Sequence, residues 1–248
     1  IDEIDVSRPS LFQQDTIGLF FDRLRKEEPV HYCRESHVGP FWSITKFDDI
    51  MAVDTNHKVF SSEAKLGGIA IQDMHRVEGA LELEMFIAMD PPKHDQQRKA
   101  VTPAVAPSNL LLLEPTIRER ACQILDDLPI GEEFDWVDKV SIELTTMTLA
   151  TLFDFPWEER RKLTRWSDVT TAAPETGIVA SYEARREELI ECAMYFKGLW
   201  DQRVNEPPKN DLISIMAHSP ATRDMPFLEF FGNLLLLIVG GNDTTRNS

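Results

Sequence analysis

Positive charge is scarce in this chain: 26 Lys and Arg stand against 42 Asp and Glu, a formal charge of −16 at neutral pH. A surface so acidic repels phosphate backbones, which argues against non-specific nucleic-acid binding. Cysteine is scarcer still. Cys33, Cys122 and Cys192 lie far apart, with neither a CxxC pair nor an even-numbered framework, so the expected compartment is reducing and cytoplasmic. Long apolar runs are also missing. The richest, Phe227 to Gly241, carries Glu229 and Asn233 and is too short to span a bilayer. It reads as a buried core helix, and no membrane anchor is expected. Ile1–Asp5 is acidic where a secretion signal would be basic and then apolar, so no targeting peptide is expected. With 11 Gly, 15 Pro and 42% apolar residues, a disordered or collagen-like polymer is excluded.

What is present is mostly helical period. Thr16 to Glu27 gathers Leu19, Phe20, Phe21 and Leu24 on one face before Pro29. Val30–Cys33 and Val38–Thr45 are β-type runs around a polar Arg34–His37 turn, which predicts a small hairpin. Lys46 to Asp54 returns to helix. Ser61 to Glu84 is weakly patterned, with Gly67, Gly68 and Gly79, as lids and binding loops often are. Asp90 and Pro91 predict an N-cap and first turn, with the helix broken at Pro103. Leu110–Leu128, Val137–Phe153, Trp157 to Thr171 and Ile178–Asn205 follow as helices. Pro207 and Pro208 break the last of these. Asn210 or Asp211 caps a short helix to His218, and Pro226 opens a final helix.

Several clusters have plain readings. His31, Cys33 and His37 are close in sequence, but alternating hairpin faces count against a metal site. Arg185, Arg186, Glu187 and Glu188 read as a solvated helix face. Trp157 and Trp166 read as core, and all three thiols as buried and structural.

The chemistry-bearing segment is the last one, where Leu234 to Val239 runs into Gly240, Gly241, Asn242, Asp243, Thr244, Thr245 and Arg246. Each Gly costs a helix about 1 kcal/mol against Ala. Thr hydroxyls bond back to preceding carbonyls and bend helices, and a buried Asp is costly unless paired. These residues describe either a helix opened beside a cavity or a junction at which Gly240 and Gly241 end one helix and Asn242 to Thr244 cap the next. A second segment, Asp90-Pro91-Pro92-Lys93-His94 through Arg98, sets an imidazole and a guanidinium four residues apart on one helix face. An always-charged fork suits a carboxylate.

Together, in this order, the two segments resemble the cytochrome P-450 family of haem-thiolate monooxygenases. One resembles its oxygen-activating central helix, the other its third-helix signature. The resemblance implies a mainly α fold with a small β region near the N-terminus. It also implies haem b, with O2 as co-substrate, and hydroxylation of an unactivated C–H bond. His94 and Arg98 would reach the haem propionates, and Gly240 and Gly241 would let the helix backbone approach the porphyrin. Thr244 would hydrogen-bond the oxygen being activated, and Asp243 would relay protons. Leu236 and Val239 would contact substrate, with Met85, Ile87, Asp168 and Thr171 closing the pocket.

The closing residues look most like the soluble bacterial branch that hydroxylates medium-chain alkanes at the terminal carbon. That branch takes electrons from a ferredoxin and a flavin-dependent ferredoxin reductase, for which Lys93, Arg98 and Lys99 are candidate docking cations. Family members are longer. The expectation is a single incomplete domain over 1–248, stopping within the central helix, with the axial cysteine outside this sequence. The alternative is a non-catalytic helical ligand-binding or adaptor protein.

Overall fold

A computed structural model describes residues 1, 3–71 and 83–247. The chain divides into two compact units: Ile1–Glu78 with Ile87–Asp90, and Gly79–Phe86 with Pro91–Ser248.

The first unit holds helices α1 (Pro9–Gln13), α2 (Ile17–Glu27) and α3 (Phe47–Asp54) and the strands β1 (Val30–Cys33) and β2 (Phe41–Ile44). The strands pair antiparallel, Val30 opposite Ile44 and Cys33 opposite Phe41, so the expected hairpin forms with a longer turn. Ile4, Val6 and Leu24 are buried together against Phe20, Phe21 and Phe41. β1 turns His31 and Cys33 to the same buried side, contrary to the opposed faces expected of them. His31 Nε2 donates to the Ile4 carbonyl at 3.1 Å, and His37 is exposed. The long weakly patterned segment lies partly outside the described residues, Gly79 included; within the described part, Ala64–Leu66 is one 3₁₀ turn.

Asp90 does not cap a helix. Its carboxylate accepts from the Ser61 hydroxyl at 2.6 Å and the Ser62 N–H at 3.1 Å. The hydroxyl contact chiefly holds its pKa below the usual carboxylate range.

The second unit begins its helices with α4 (Lys93–Val101), later than Asp90 predicts, and a 3₁₀ turn, Thr102–Val105, carries the chain through Pro103. α5 (Pro107–Asp126) contains Pro115. A π-helical stretch, Val137–Ile142, leads into α6 (Glu143–Phe153). α7 (Arg161–Thr171), α8 (Tyr182–Val204), α9 (Leu212–His218) and α10 (Phe227–Arg246) complete it. Ser181 caps α8 and Asp211 caps α9, each accepting a backbone N–H.

The core joins α6, α7, α8 and α10. Phe155, Trp166, Tyr195 and Phe196 form its aromatic knot, with ring centroids 5.1 Å apart for Phe155 and Tyr195, and such pairs add about 0.5–1.5 kcal/mol each beyond area burial. Trp157 is not core: it is half-exposed and sandwiched between the Arg120 and Arg160 guanidinium groups. Arg185 also departs from expectation. It donates to the Val169 and Thr170 carbonyls at 3.0 and 2.6 Å, satisfying the end of α7.

Two glycines of α10 permit close packing. A Cβ on Gly232 would stand 2.1 Å from the backbone oxygen of Glu84, and one on Gly241 would stand 2.6 Å from Leu149 Cδ2. A Cβ on Gly240 would meet nothing within 4 Å. Gly232→Ala is therefore expected to destabilise the fold by about 1–3 kcal/mol through overpacking. Gly240→Ala should stabilise it by about 0.5–1 kcal/mol through helix propensity. Urea unfolding of the two variants checks the opposite signs.

Candidate active site

α10 runs as one unbroken α-helix through Gly240 and Gly241, so the junction reading of these glycines is overturned, and the helix is not opened at them either. Each Thr and Asp of the motif therefore keeps helical spacing. The Thr244 hydroxyl donates back to the Gly240 carbonyl at 2.6 Å, the local bond expected of a mid-helix Thr.

The helix has two faces. Phe230, Phe231, Leu234, Leu235, Ile238 and Asn242 are buried. The other face starts at Glu229 and Asn233 and continues at helical spacing through Leu236 and Gly240 to Thr244. Along it the cover thins: Glu229 and Asn233 are buried, Leu236, Val239 and Asp243 are half-buried, and Gly240 and Thr244 are exposed. Leu236, Val239, Gly240 and Thr244 share the side of α10 that the described residues leave open, whereas Gly241, also expected to face a haem, turns to Leu149.

The covered start of this face is held by α4. Lys93 Nζ pairs with Glu229 Oε2 at 2.8 Å and with Glu84 at 3.2 Å. Partial burial opposes the Lys93 charge, but the two carboxylates outweigh it and raise its pKa. Lys93 is thereby committed to the fold rather than to a docking surface. Gln97 Nε2 donates to Glu229 Oε1, and Asn233 Nδ2 donates to Gln97 Oε1 at 2.8 Å.

With Lys93 and Gln97 turned to α10, His94 and Arg98 lie one step round α4. His94 is half-buried, with Nδ1 on the Phe86 carbonyl at 2.7 Å. Arg98 is exposed, and no described residue pairs with its guanidinium. An imidazole and a guanidinium with no partner among the described residues, both on α4, have the chemistry to meet the two carboxylates of a haem. Met85 is half-buried, and Ile87 is 40% exposed in the first unit.

Two expected pocket residues are engaged otherwise. Asp168 Oδ1 receives Arg246 at 2.7 Å, and the same guanidinium reaches Asp243 at 2.9 Å. Burial disfavours the Arg246 charge, yet Asp168 and then Asp243 hold it more firmly protonated than usual. Thr171 donates its hydroxyl to its own helix at the Asp168 and Ser167 carbonyls. Burial pushes up the thiols of Cys33 and Cys192, so neither is poised as a thiolate. Cys122 is exposed, against the expectation for all three.

Sequence reasoning missed Gln97, Gly232, Asn233 and Arg246. The available signal was polar Glu229 and Asn233 repeating at helical spacing inside the most apolar run.

No protein-family model matches the chain. It is 33% identical over 251 residues to the linalool 8-monooxygenase of Pseudomonas putida, covering 98% of this chain and 61% of that protein. To the steroid C26-monooxygenase of Mycolicibacterium smegmatis it is 32% identical over 235 residues, covering 91% and 54%. CYP153D17 from Sphingomonas sp. PAMC 26605 superposes with a TM-score of 0.86 at 46% identity, covering 100% of this chain and 61% of that one. For cytochrome P450-153 from Novosphingobium aromaticivorans the TM-score is 0.84 at 42% identity, covering 98% and 60%. The chain thus spans about three-fifths of the length of these relatives.

If Arg246 clasps α7 to α10 through Asp168, a double-mutant cycle of Arg246→Gln and Asp168→Asn will show a coupling of about 0.5–1 kcal/mol. Urea unfolding measures it, and the coupling should shrink in high salt.

Proposed function

The chain is homologous to the cytochrome P450s, and from that premise we propose that the protein works as a haem-dependent monooxygenase hydroxylating an unactivated C–H bond of an apolar substrate. One observation carries the reading: the Leu236–Gly240–Thr244 side of an unbroken α10 is the side the described residues leave open, and α4, which carries His94 and Arg98, is bonded to the start of that side through Lys93 and Gln97. Haem, when bound, supplies the oxygen-activation chemistry from O2 and two electrons. No thiol of this chain is suited to ligate its iron.

His94 and Arg98 are the residues to hold the haem carboxylates, Arg98 by a charge-assisted fork. Gly240 keeps the helix surface flat where a larger side chain would intrude. Gly241 is better assigned to packing, because its Cα hydrogen faces Leu149. Leu236 and Val239 exclude water and present methyl groups to an apolar substrate. Met85, in the same unit, extends that lining.

Asp243 has one oxygen fixed by Arg246. Its other oxygen is placed to take a proton from solvent and pass it toward the Thr244 hydroxyl one residue along. Thr244 releases its bond to Gly240 by rotation about χ1 and orients that proton. Asp168 acts through Arg246 in this scheme, holding the relay in place rather than touching substrate.

The finer substrate reading is a medium-chain aliphatic hydroxylated at its terminal carbon. Support comes from the apolar Leu236 and Val239 pair and from the resemblance of the closing residues to the alkane-hydroxylating branch. The relatives named for linalool and steroid C26 also take largely hydrocarbon molecules. The proposed electron donors are a ferredoxin with its flavin-dependent reductase, docking at the exposed Lys99, since the Arg98 fork is assigned to the haem. No helix of the described residues is long and apolar enough to cross a membrane.

The ferrous carbonyl spectrum of the whole enzyme tests the reading directly. A thiolate-ligated haem shifts the Soret band far to the red, and a helical binding protein gives no such band. Arg98→Ala should weaken haem affinity about 10- to 100-fold, the loss of a charge-assisted bond of about 1.5–3 kcal/mol; equilibrium haem transfer to an acceptor protein measures it. Thr244→Ala should lower alcohol formed per electron pair consumed by about tenfold or more, with peroxide appearing instead. Product and peroxide yields measured together decide it.

A further inference from the structure

A one-way series of hydrogen bonds runs from α4 through the segment before it to α10 and back. His94 Nδ1 donates to the Phe86 carbonyl at 2.7 Å, because a carbonyl can only accept. The Phe86 N–H donates to Asn233 Oδ1 at 2.7 Å. Asn233 Nδ2 donates to Gln97 Oε1 at 2.8 Å, and Gln97 Nε2 donates to the Glu229 carboxylate. Lys93, the neighbour of His94, closes the circuit on the same carboxylate at 2.8 Å. Asn233, Gln97 and Glu229 are all buried.

From the Phe86 N–H onward every donor points toward Glu229, so the Asn233 and Gln97 amides polarise one another in the same sense; the His94 bond falls on the next peptide group and is tied to this run through the Phe86 backbone position. Asn233 has a single possible orientation in this circuit: its amide must accept from Phe86 and donate to Gln97. The backbone cannot drift away, since Gly232 lets the Glu84 carbonyl lie directly against α10. The Phe86 ring also stands edge-on to His94, with centroids 6.2 Å apart.

We infer that Asn233 is a positioning residue for the haem site: acting through the backbone of Phe86, it fixes the ring orientation of His94 with Nδ1–H on the Phe86 carbonyl, which leaves Nε2–H, the second donor of the ring in its imidazolium form, to meet a haem carboxylate. The inference rests on the proposed role of His94 and Arg98. Outer partners of this kind set the tautomer and aim of an imidazole wherever it binds a group. Leu236, one turn beyond Asn233, touches the substrate side of the same helix. The amide of Asn233 therefore ties the carboxylate-holding ring and the substrate face to one frame.

The test uses the whole holoenzyme in its ferrous carbonyl form, labelled with 15N at histidine, and the Asn233→Leu and Gln97→Met variants. In the wild type, long-range 1H–15N correlation should show a slowly exchanging proton on His94 Nδ1, and hydrogen exchange should show a protected Phe86 amide. Asn233→Leu should speed Phe86 amide exchange at least tenfold, erase the slow Nδ1 proton and raise the haem dissociation rate about three- to tenfold. Gln97→Met should produce the same changes at smaller size. A wild-type His94 with no proton held on Nδ1 overturns the inference, even if Asn233→Leu fails to fold. Variants that unfold at lower urea while keeping the Nδ1 proton and the haem off-rate overturn it too, by reducing Asn233 to a packing role. Full haem retention in Arg98→Ala would instead sink the carboxylate-holding reading, leaving the Nδ1 and Phe86 measurements to judge the hydrogen-bond series separately.

Discussion

The site depends on a carboxylate buried beneath the first turn of α10. Glu229 sits where the helix N-terminus favours negative charge, and Lys93 and Gln97 satisfy its two oxygens. A buried anion is tolerable only with such partners. Because both partners come from α4, solvating Glu229 means separating α4 from α10. The relative placement of His94, Arg98 and the open stripe of α10 thus follows from one electrostatic requirement. Gly232 adds the steric half of the constraint, by admitting the Glu84 carbonyl where any side chain would collide.

The adjacent glycines at the other end of α10 illustrate how position on a helix divides roles between like residues. Gly240 and Gly241 differ by about 100° in direction. Gly241 turns to Leu149 and allows α6 to approach, while Gly240 turns to the open face. A single reading for the pair, close approach to a cofactor, misplaces Gly241, which packs against Leu149. The Asp243–Arg246–Asp168 bridge works in a similar way. A carboxylate expected to line a pocket instead secures the guanidinium that pairs with Asp243.

Much of the fold was legible in the sequence because its signals are local. Pro226, Asp211 and Pro29 mark helix limits, and the β-type runs around Arg34–His37 mark the hairpin. Periodicity found α5, α6, α7 and α8 to within a few residues. The errors came where distant partners compete for a side chain. Asp90 has the chemistry of an N-cap, yet Ser61 and Ser62 take its carboxylate. Arg185 lies in a charged run that reads as solvated, but the frayed end of α7 captures it. For the candidate site, motif spacing supplied His94, Arg98, Asp243 and Thr244 as candidates. It was silent on Asn233 and Gln97, whose roles exist only once α4 and α10 cross, and on Arg246, whose partner lies in another helix.

The surface of α10 is the opposite of what stability alone would select. A helix covered on one side should bury its apolar residues and expose its polar ones. Here Glu229, Asn233 and Asn242 are buried, while Leu236 and Val239 are half-covered. The buried amide of Asn242 has no hydrogen-bond partner among the described residues, a further cost to the folded chain. Apolar groups left at an open face and polar groups drawn inside are jointly unfavourable in a free-standing unit. They become favourable if that face receives an apolar cofactor and substrate, whose charged edge is met by Arg98 at the α4 end. The same inversion argues against a mere helical adaptor, which would need neither a buried Glu–Lys–Gln cluster nor a back-bonded Thr beside Gly240.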